Sequence, residues 1–230
     1  MKSVSIVITT WHRPAQLAVT LASIRRQKYP DLEIIVVDPG KDKETFDLCQ
    51  SADITYIRFA QPTGYGNPSR AINIGLRAAK NDYVILQNAE CSHVDVNAIA
   101  KMADIVTDNN VVFAHVFARL ANGSLHVIYC GPERPEPYFF CGMMARENFM
   151  HLRGMDEDFC TPNYDDGDFA LRMAKIGLSF VYSGVAVDHQ WHPFLATSME
   201  PAKTIFERKK AQMEAGEIGP IRNKIGRAHV

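Results

Sequence analysis

The chain has 230 residues, 47% hydrophobic and 22% charged, with a net charge of −1. That length suits one large domain or a domain with a tail, and the composition is globular rather than disordered. So small a net charge supplies no basic field to grip nucleic acid by its phosphates.

The five cysteines (Cys49, Cys91, Cys130, Cys141, Cys160) are scattered, and none forms a C-x-x-C pair. Neither a zinc knuckle nor a disulfide framework is indicated, and reduced cytoplasmic thiols are the simpler account. No apolar run is long enough to span a membrane, and "MKSVSIVITTWHRP" breaks too soon for a signal peptide. The expectation is a cytoplasmic protein without a transmembrane segment.

In chain order, "SVSIVITT" (3–10) is a β-branched run fit for a buried strand. The helix that follows starts near Pro14 and turns Leu17, Leu21 and Ile24 to one face. "LEIIVVD" is a second buried strand, closed by Pro39 and Gly40. A short helix (44–50) and the strand "ITYIRF" (54–59) complete a second β–α–β unit. After the loop "QPTGYGNPSR", Asn67 is placed to cap a helix burying Ile72, Leu76 and Ala79. A fourth strand (83–86) runs into Gln87, Asn88, Ala89 and Glu90. This alternation predicts an open, mostly parallel sheet with helices on both faces, whose ligands bind beyond the strands' carboxyl ends. Thr9, Asp38 and Glu90 should therefore converge on one crevice.

Past Glu90 the pattern predicts a helix over 94–107, begun by His93, and then a hairpin turning at Asn122 and Gly123. Antiparallel strands make this half of the sheet mixed. Further on come a surface loop from Cys130 to Tyr138, the strand "FFCGMMA" and a short helix ended by Gly154. "DDGDFALRMAKIG" forms a helix with Phe169, Met173 and Ile176 inward, and "LSFVYSGVAVDHQWHP" is extended. The organisation expected is one domain over 1–200 and a charged helical tail over 201–230 without a core of its own.

Asp165, Asp166 and Asp168 crowd one helix start. Capping and the helix dipole favour one acid there, and three exceed that need. Like charges so close raise at least one pKa towards a base's range.

Taken together, "VSIVITTWHRP", "LEIIVVDPG", "NPSRAINIGLRAAKNDYVILQ" and "RGMDEDFCTPNYDDGDFALRMAKIG" resemble the GT-A glycosyltransferases, most closely the family 2 type. The resemblance runs from about Val4 to His192. It implies a GT-A (Rossmann-like) fold and inverting, metal-assisted sugar transfer from a nucleotide-diphosphate sugar to an acceptor. Thr9, with Thr10 beside it, and Asp38 match the nucleotide-holding positions. Arg13 and Arg70 are phosphate candidates, Asn67, Gln87 and Asn88 donor contacts, and Gly142 a place for close substrate approach. Asp166 matches the general base and Asp165 orients the acceptor, while Asp168 is left to fix the helix.

Two departures stand out. Pro39 occupies the slot of a second, base-reading acid, which leaves uracil open. In the family's Asp-x-Asp loop, which holds Mn²⁺ or Mg²⁺, Gln87 and Ala89 replace the acids and only Glu90 supplies a carboxylate. Relatives complete such a site with a distant histidine, for which His189 or His192 serves. Three apart in an extended segment, they should face opposite ways, so that one ligates. Imidazole favours Mn²⁺ over Mg²⁺. The competing readings are a non-catalytic nucleotide- or sugar-binding domain that has lost its Asp-x-Asp motif and, last, a nucleotidyltransferase. Glycan, protein, small-molecule and nucleobase acceptors all stay open.

Overall fold

The computed structural model describes residues 1–131, 137–193 and 198–221, and for 126–130 the backbone alone. Most of the expected loop after Cys130 and the last residues of the expected tail lie outside these.

β1 (Val4–Thr9), β2 (Leu32–Asp38), β3 (Ile54–Arg58) and β4 (Tyr83–Asn88) are parallel, in the spatial order β3-β2-β1-β4. They are joined by α1 (Pro14–Arg25), α2 (Lys43–Leu48) and α3 (Ser69–Ala78). β-branched runs form these strands because both faces of the sheet are covered, with the successive residues Ile6 and Val7, and Ile35 and Val36, all at 0% exposure. Leu17, Leu21 and Ile24 lie buried on α1 as their spacing requires. α3 packs so closely that a Cβ on Gly75 would stand 2.3 Å from Val7 Cγ1. Order builds outward from β1 to β3 and then resumes at β4 on β1's other side. That reversal places a crevice beyond the carboxyl ends of β1 and β4, where Thr9 and Asn88 are register partners.

The second half is mixed, as expected. β5 (Cys91–His93) leads to α4 (Ala98–Ile105), and β6 (Asn110–Arg119) to β7 (Leu125–Cys130) through the Asn122–Gly123 turn. β8 (Cys141–Ala145) inserts antiparallel between β4 and β6. α5 (Arg146–Leu152), α6 (Asp165–Lys175) and β9 (Ser179–His189) follow, β9 running parallel to β6 and antiparallel to β5. α7 (Glu200–Glu214) packs on α6 and shares a small apolar cluster with Phe159 through Ala202 and Phe206.

One local expectation fails here. His93 does not open a helix. It lies 3% exposed in β5, and Asp95 makes the turn before α4, its Oδ1 accepting from Asn97 N–H at 2.9 Å. Asn67 caps α3 as expected, its Oδ1 accepting the Ser69 N–H at 2.8 Å across the already helical Pro68.

Candidate active site

The crevice at the β1/β4 switch point has a volume of about 450 Å³, within the range of small-ligand sites. Thr9, Thr10, Arg13, Asn67, Asn88, Glu90 and His192 line it, together with Trp11, Pro39 and Gln61. Thr10 contributes a buried hydroxyl that finds no partner among the described residues, a polar atom left for a ligand.

Several expected site residues stand elsewhere. Asp38 is fully buried, and its oxygens accept from Gly40 N–H at 2.6 Å and from the Tyr56 hydroxyl at 2.9 Å. It shapes the turn that brings Pro39, rather than its own carboxylate, to the wall. Arg70 lies over the Tyr65 ring, 3.9 Å from Glu157, away from the lining. Gly142 does not leave room for substrate, because the Phe113 ring fills that space 2.9 Å from where a Cβ would be.

The end of β4 also differs from the expected placement of the metal loop. Gln87 is 2% exposed, its Nε2 donating to the Cys91 carbonyl and its Oε1 paired with His93 Nε2 at 2.9 Å. Burial lowers the His93 pKa to about 4, so the ring is neutral at ordinary pH. Ala89 is wholly buried too. The pleat turns Asn88 to the crevice instead, and the turn after β4 brings Glu90 there.

Glu90 meets both histidines. Its Oε1 lies 3.6 Å from His189 Nε2 and 3.6 Å from His192 Nε2, and the three ligand atoms fall within 4.8 Å of one another. The two histidines therefore do not face apart: β9 ends at His189, and the following residues leave strand geometry and bring His192 back. Burial alone would raise the Glu90 carboxyl, but hydrogen bonding to the two imidazoles outweighs it and holds the pKa down at about 2. His192 is correspondingly raised by Glu90. One carboxylate and two imidazoles suit a divalent transition-metal ion, and the spacing leaves room for one between them. The Pro193 carbonyl lies 3.0 Å from His192 Nδ1, the partner a ligating imidazole uses to fix its tautomer. Arg13 Nη2 stands 3.2 Å from that same nitrogen and adds positive charge to the crevice.

Polar residues on buried faces support this cluster, and the sequence reading passed over them. Thr20, on the core face of α1, donates to the Ala89 carbonyl at 2.7 Å. It accepts from Gln190 Nε2 at 3.1 Å, while the Gln190 backbone N–H donates to the Glu90 carbonyl at 2.9 Å. Asn73 bonds both the N–H and the carbonyl of Met155, and a Cβ on Gly154 (φ +73°) would collide with it at 2.1 Å. The available signal was a polar side chain at an apolar position of the helical period.

The acids of α6 are not among the lining residues; they follow Pro162 and Asn163 of the crevice wall in the chain, and Asn67 of the lining bonds Asp165. Asp165 is buried and its pKa rises to about 6, chiefly through desolvation, although the Asn67 side chain bonds it and pulls it back. Asp166 is half-buried by surface area yet closely surrounded. Its pKa is pushed well up by desolvation and by the Asp165 carboxylate, against a hydrogen bond from the Phe139 N–H. Asp168 forms a buried ion pair with Arg172 at 2.7 Å, one turn along the helix. Asp168 thus ties α6, while Asp165 and Asp166 have the raised pKa of candidate proton acceptors.

Fold and site together define a GT-A type protein. Its fold is shared by mannosyltransferase PcManGT from Pyrobaculum calidifontis, in complex with GDP-Man and Mn²⁺, at TM-score 0.62 and 18% identity over 95% of this chain and 65% of that one. It is shared also by S. aureus TarS, at TM-score 0.69 and 13% identity over 92% of this chain and 39% of that one. Residues 5–176 match the family model for glycosyl transferase family 2, and the chain belongs to that family. It is similar to hyaluronan synthase of Pasteurella multocida, 33% identical over 113 residues, which are 46% of this chain and 11% of that protein. Chondroitin synthase of Escherichia coli is 33% identical over 110 residues, 46% of this chain and 16% of the synthase. The chain thus spans a small fraction of these relatives' length. Among the described residues no helix is long and apolar enough to cross a membrane.

Proposed function

We propose that this chain transfers a sugar, with inversion, from a nucleotide-diphosphate sugar to an acceptor hydroxyl. The carrying observation is the Glu90–His189–His192 cluster at the crevice that Thr10, Arg13 and Asn88 line, with two acids of raised pKa directly after Asn163 and Tyr164 at the end of its wall. In the reaction the acceptor oxygen bonds to the anomeric carbon, the bond from that carbon to the diphosphate breaks, and the acceptor proton passes to the Asp166 carboxylate. A raised pKa suits a base that must take a proton near neutrality. Asp165, held by Asn67, orients the acceptor and keeps the shared charge of the pair low.

Thr9, Thr10, Asn67 and Asn88 hold the donor, and Arg13 meets its phosphates. Glu90, His189 and His192 would hold a divalent ion, which when bound neutralises the departing diphosphate. Imidazole ligands favour Mn²⁺ over Mg²⁺. The Mn²⁺ and GDP-Man named with PcManGT, and the UDP complex of TarS, support a nucleotide-bound metal site. With Asp38 withdrawn and Pro39 on the wall, no carboxylate of this turn reads the base, so uridine and guanosine donors stand on equal terms. A converged ligand cluster supports catalysis over a non-catalytic binding domain. The cytoplasmic location belongs to the same proposal.

The direct test is Asp166→Asn, which should lower kcat by at least about 100-fold and leave nucleotide diphosphate binding nearly unchanged by calorimetry. Retained turnover would remove Asp166 from the mechanism.

A further inference from the structure

Residues 156–164 reach Asp165 and Asp166 without a helix or strand, so contacts must hold them. On the crevice side three hydrogen bonds do so. Gly66 N–H donates to the Cys160 carbonyl at 2.7 Å, Asn67 Nδ2 to the Thr161 carbonyl at 2.8 Å, and the Tyr65 hydroxyl to the Glu157 carbonyl at 3.2 Å. On the far side stands α7. Lys209, 7% exposed, places Nζ 2.6 Å from Asp156 Oδ2 and 2.6 Å from Asp158 Oδ2. One turn earlier, Phe206 packs with Ala202 on Phe159, and its ring centroid lies 5.5 Å from that of Tyr164.

Tyr164 directly precedes the acids in a left-handed conformation (φ +61°), and so does Asn163 before it (φ +83°). Asn tolerates that region but a tyrosine there is strained, so the loop would relax if its supports were released. A solvated tail helix has no need of a buried ammonium between two carboxylates, whose desolvation only good pairing offsets. The buried residues of α7 (Ala202, Phe206, Lys209, Met213) follow one helical face. The helix also lies wholly beyond the residues that match the family, 5–176.

We propose that α7 belongs to the catalytic apparatus, with Lys209 and Phe206 as positioning residues that clamp the 156–164 loop and fix where Asp165 and Asp166 stand. The proposal rests on reading those acids as the pair that activates the acceptor. Neither Lys209 nor Phe206 lines the crevice, so both act through the loop. Releasing the clamp misplaces the base first, because the donor contacts at Thr9, Thr10, Arg13 and Asn88 lie outside the loop and, of the residues that hold the donor, Asn67 alone is bonded to it, through the Thr161 carbonyl.

The test uses the full chain with Lys209→Met, Lys209→Arg and Phe206→Leu. It reads hydrogen exchange at amides 156–168 against those of β1, and kcat against nucleotide diphosphate affinity. In Lys209→Met, exchange in the loop should quicken by about 10-fold or more while β1 is unchanged. Its kcat should fall at least about 10-fold, with nucleotide affinity within about 2-fold, and Lys209→Arg should restore most of both. Lys209→Met strands the buried Asp156 carboxylate and can fail to fold, in which case Phe206→Leu, which keeps the ion pair, carries both readouts. Unchanged loop exchange in the folded variants overturns the clamp whatever the activity does. Faster loop exchange with unchanged kcat, or kcat and nucleotide affinity lost together, overturns the positioning role. A wild-type protein without turnover on any donor refutes the catalytic reading instead, and the exchange measurement still decides separately whether α7 holds the loop.

Discussion

Gln87 and Asn88 are adjacent and chemically alike, yet the pleat gives them opposite work. Gln87 serves the interior, bonding His93 and the Cys91 carbonyl, while Asn88 faces the crevice. Gln87→Ala should therefore cost about 1–3 kcal/mol of stability by denaturant titration and leave nucleotide affinity alone, whereas Asn88→Ala should do the reverse. Weakened nucleotide binding in Gln87→Ala would contradict this division. Asp165 carries a second prediction at this scale. Its carboxyl rises from 3.8 to about 6 on folding, so between those values the native state binds the proton more readily than the unfolded chain. Stability then falls as pH rises through that window, and the full penalty is present above it. Asp165→Asn should raise stability at pH 7 by on the order of 3 kcal/mol, seen as a higher melting temperature, with the gain gone near pH 4 and turnover lost. An unaltered melting temperature at pH 7 would mean that the site does not strain this acid. The residue types at both positions were legible in the sequence, but which face each took was not, because the end of β4 was read two residues short.

α1 does more than cover the sheet. Thr20 reaches from its core face to the Ala89 carbonyl and, through Gln190, ties the segment after β9 to Glu90. Thr20→Val keeps the shape and removes these bonds. It should weaken Mn²⁺ affinity by about 10–100-fold, as losses in the shell around metal ligands do, while far-ultraviolet circular dichroism stays native. Equal Mn²⁺ binding by titration in the two proteins would disprove the coupling. The parallel strands and their helices were readable because β-branched runs and an apolar face every third or fourth residue report burial directly. The convergence of His189 and His192 was not readable. It depends on where β9 stops, and that end is set by pairing with β5 and β6 rather than by local sequence. His93 was misplaced for a related reason, since three residues of strand are too short a signal against a helix-like stretch.

At the scale of the molecule, reversal of strand order between β1 and β4 creates the crevice. The alternation of strands and helices predicts a crevice beyond the strands' carboxyl ends, but not which strands flank it, and of the three residues expected there Thr9 and Glu90 line it while Asp38 does not. β8 returns antiparallel beside β4, and the residues just ahead of it bring the Phe139 N–H to Asp166. Such non-local pairings leave no periodic trace, so the acids were recognisable as a cluster but their distance from Glu90 was not. The central claim is that this crevice transfers sugar from a nucleotide with help from a metal held by Glu90, His189 and His192. It is tested most directly by incubating the protein with a panel of uridine and guanosine diphosphate sugars and measuring release of nucleoside diphosphate, with Mn²⁺ and with chelator. The account predicts slow release from at least one donor in Mn²⁺, abolished by chelator and by Glu90→Gln. Release from no donor, or release indifferent to both chelator and Glu90→Gln, would contradict it.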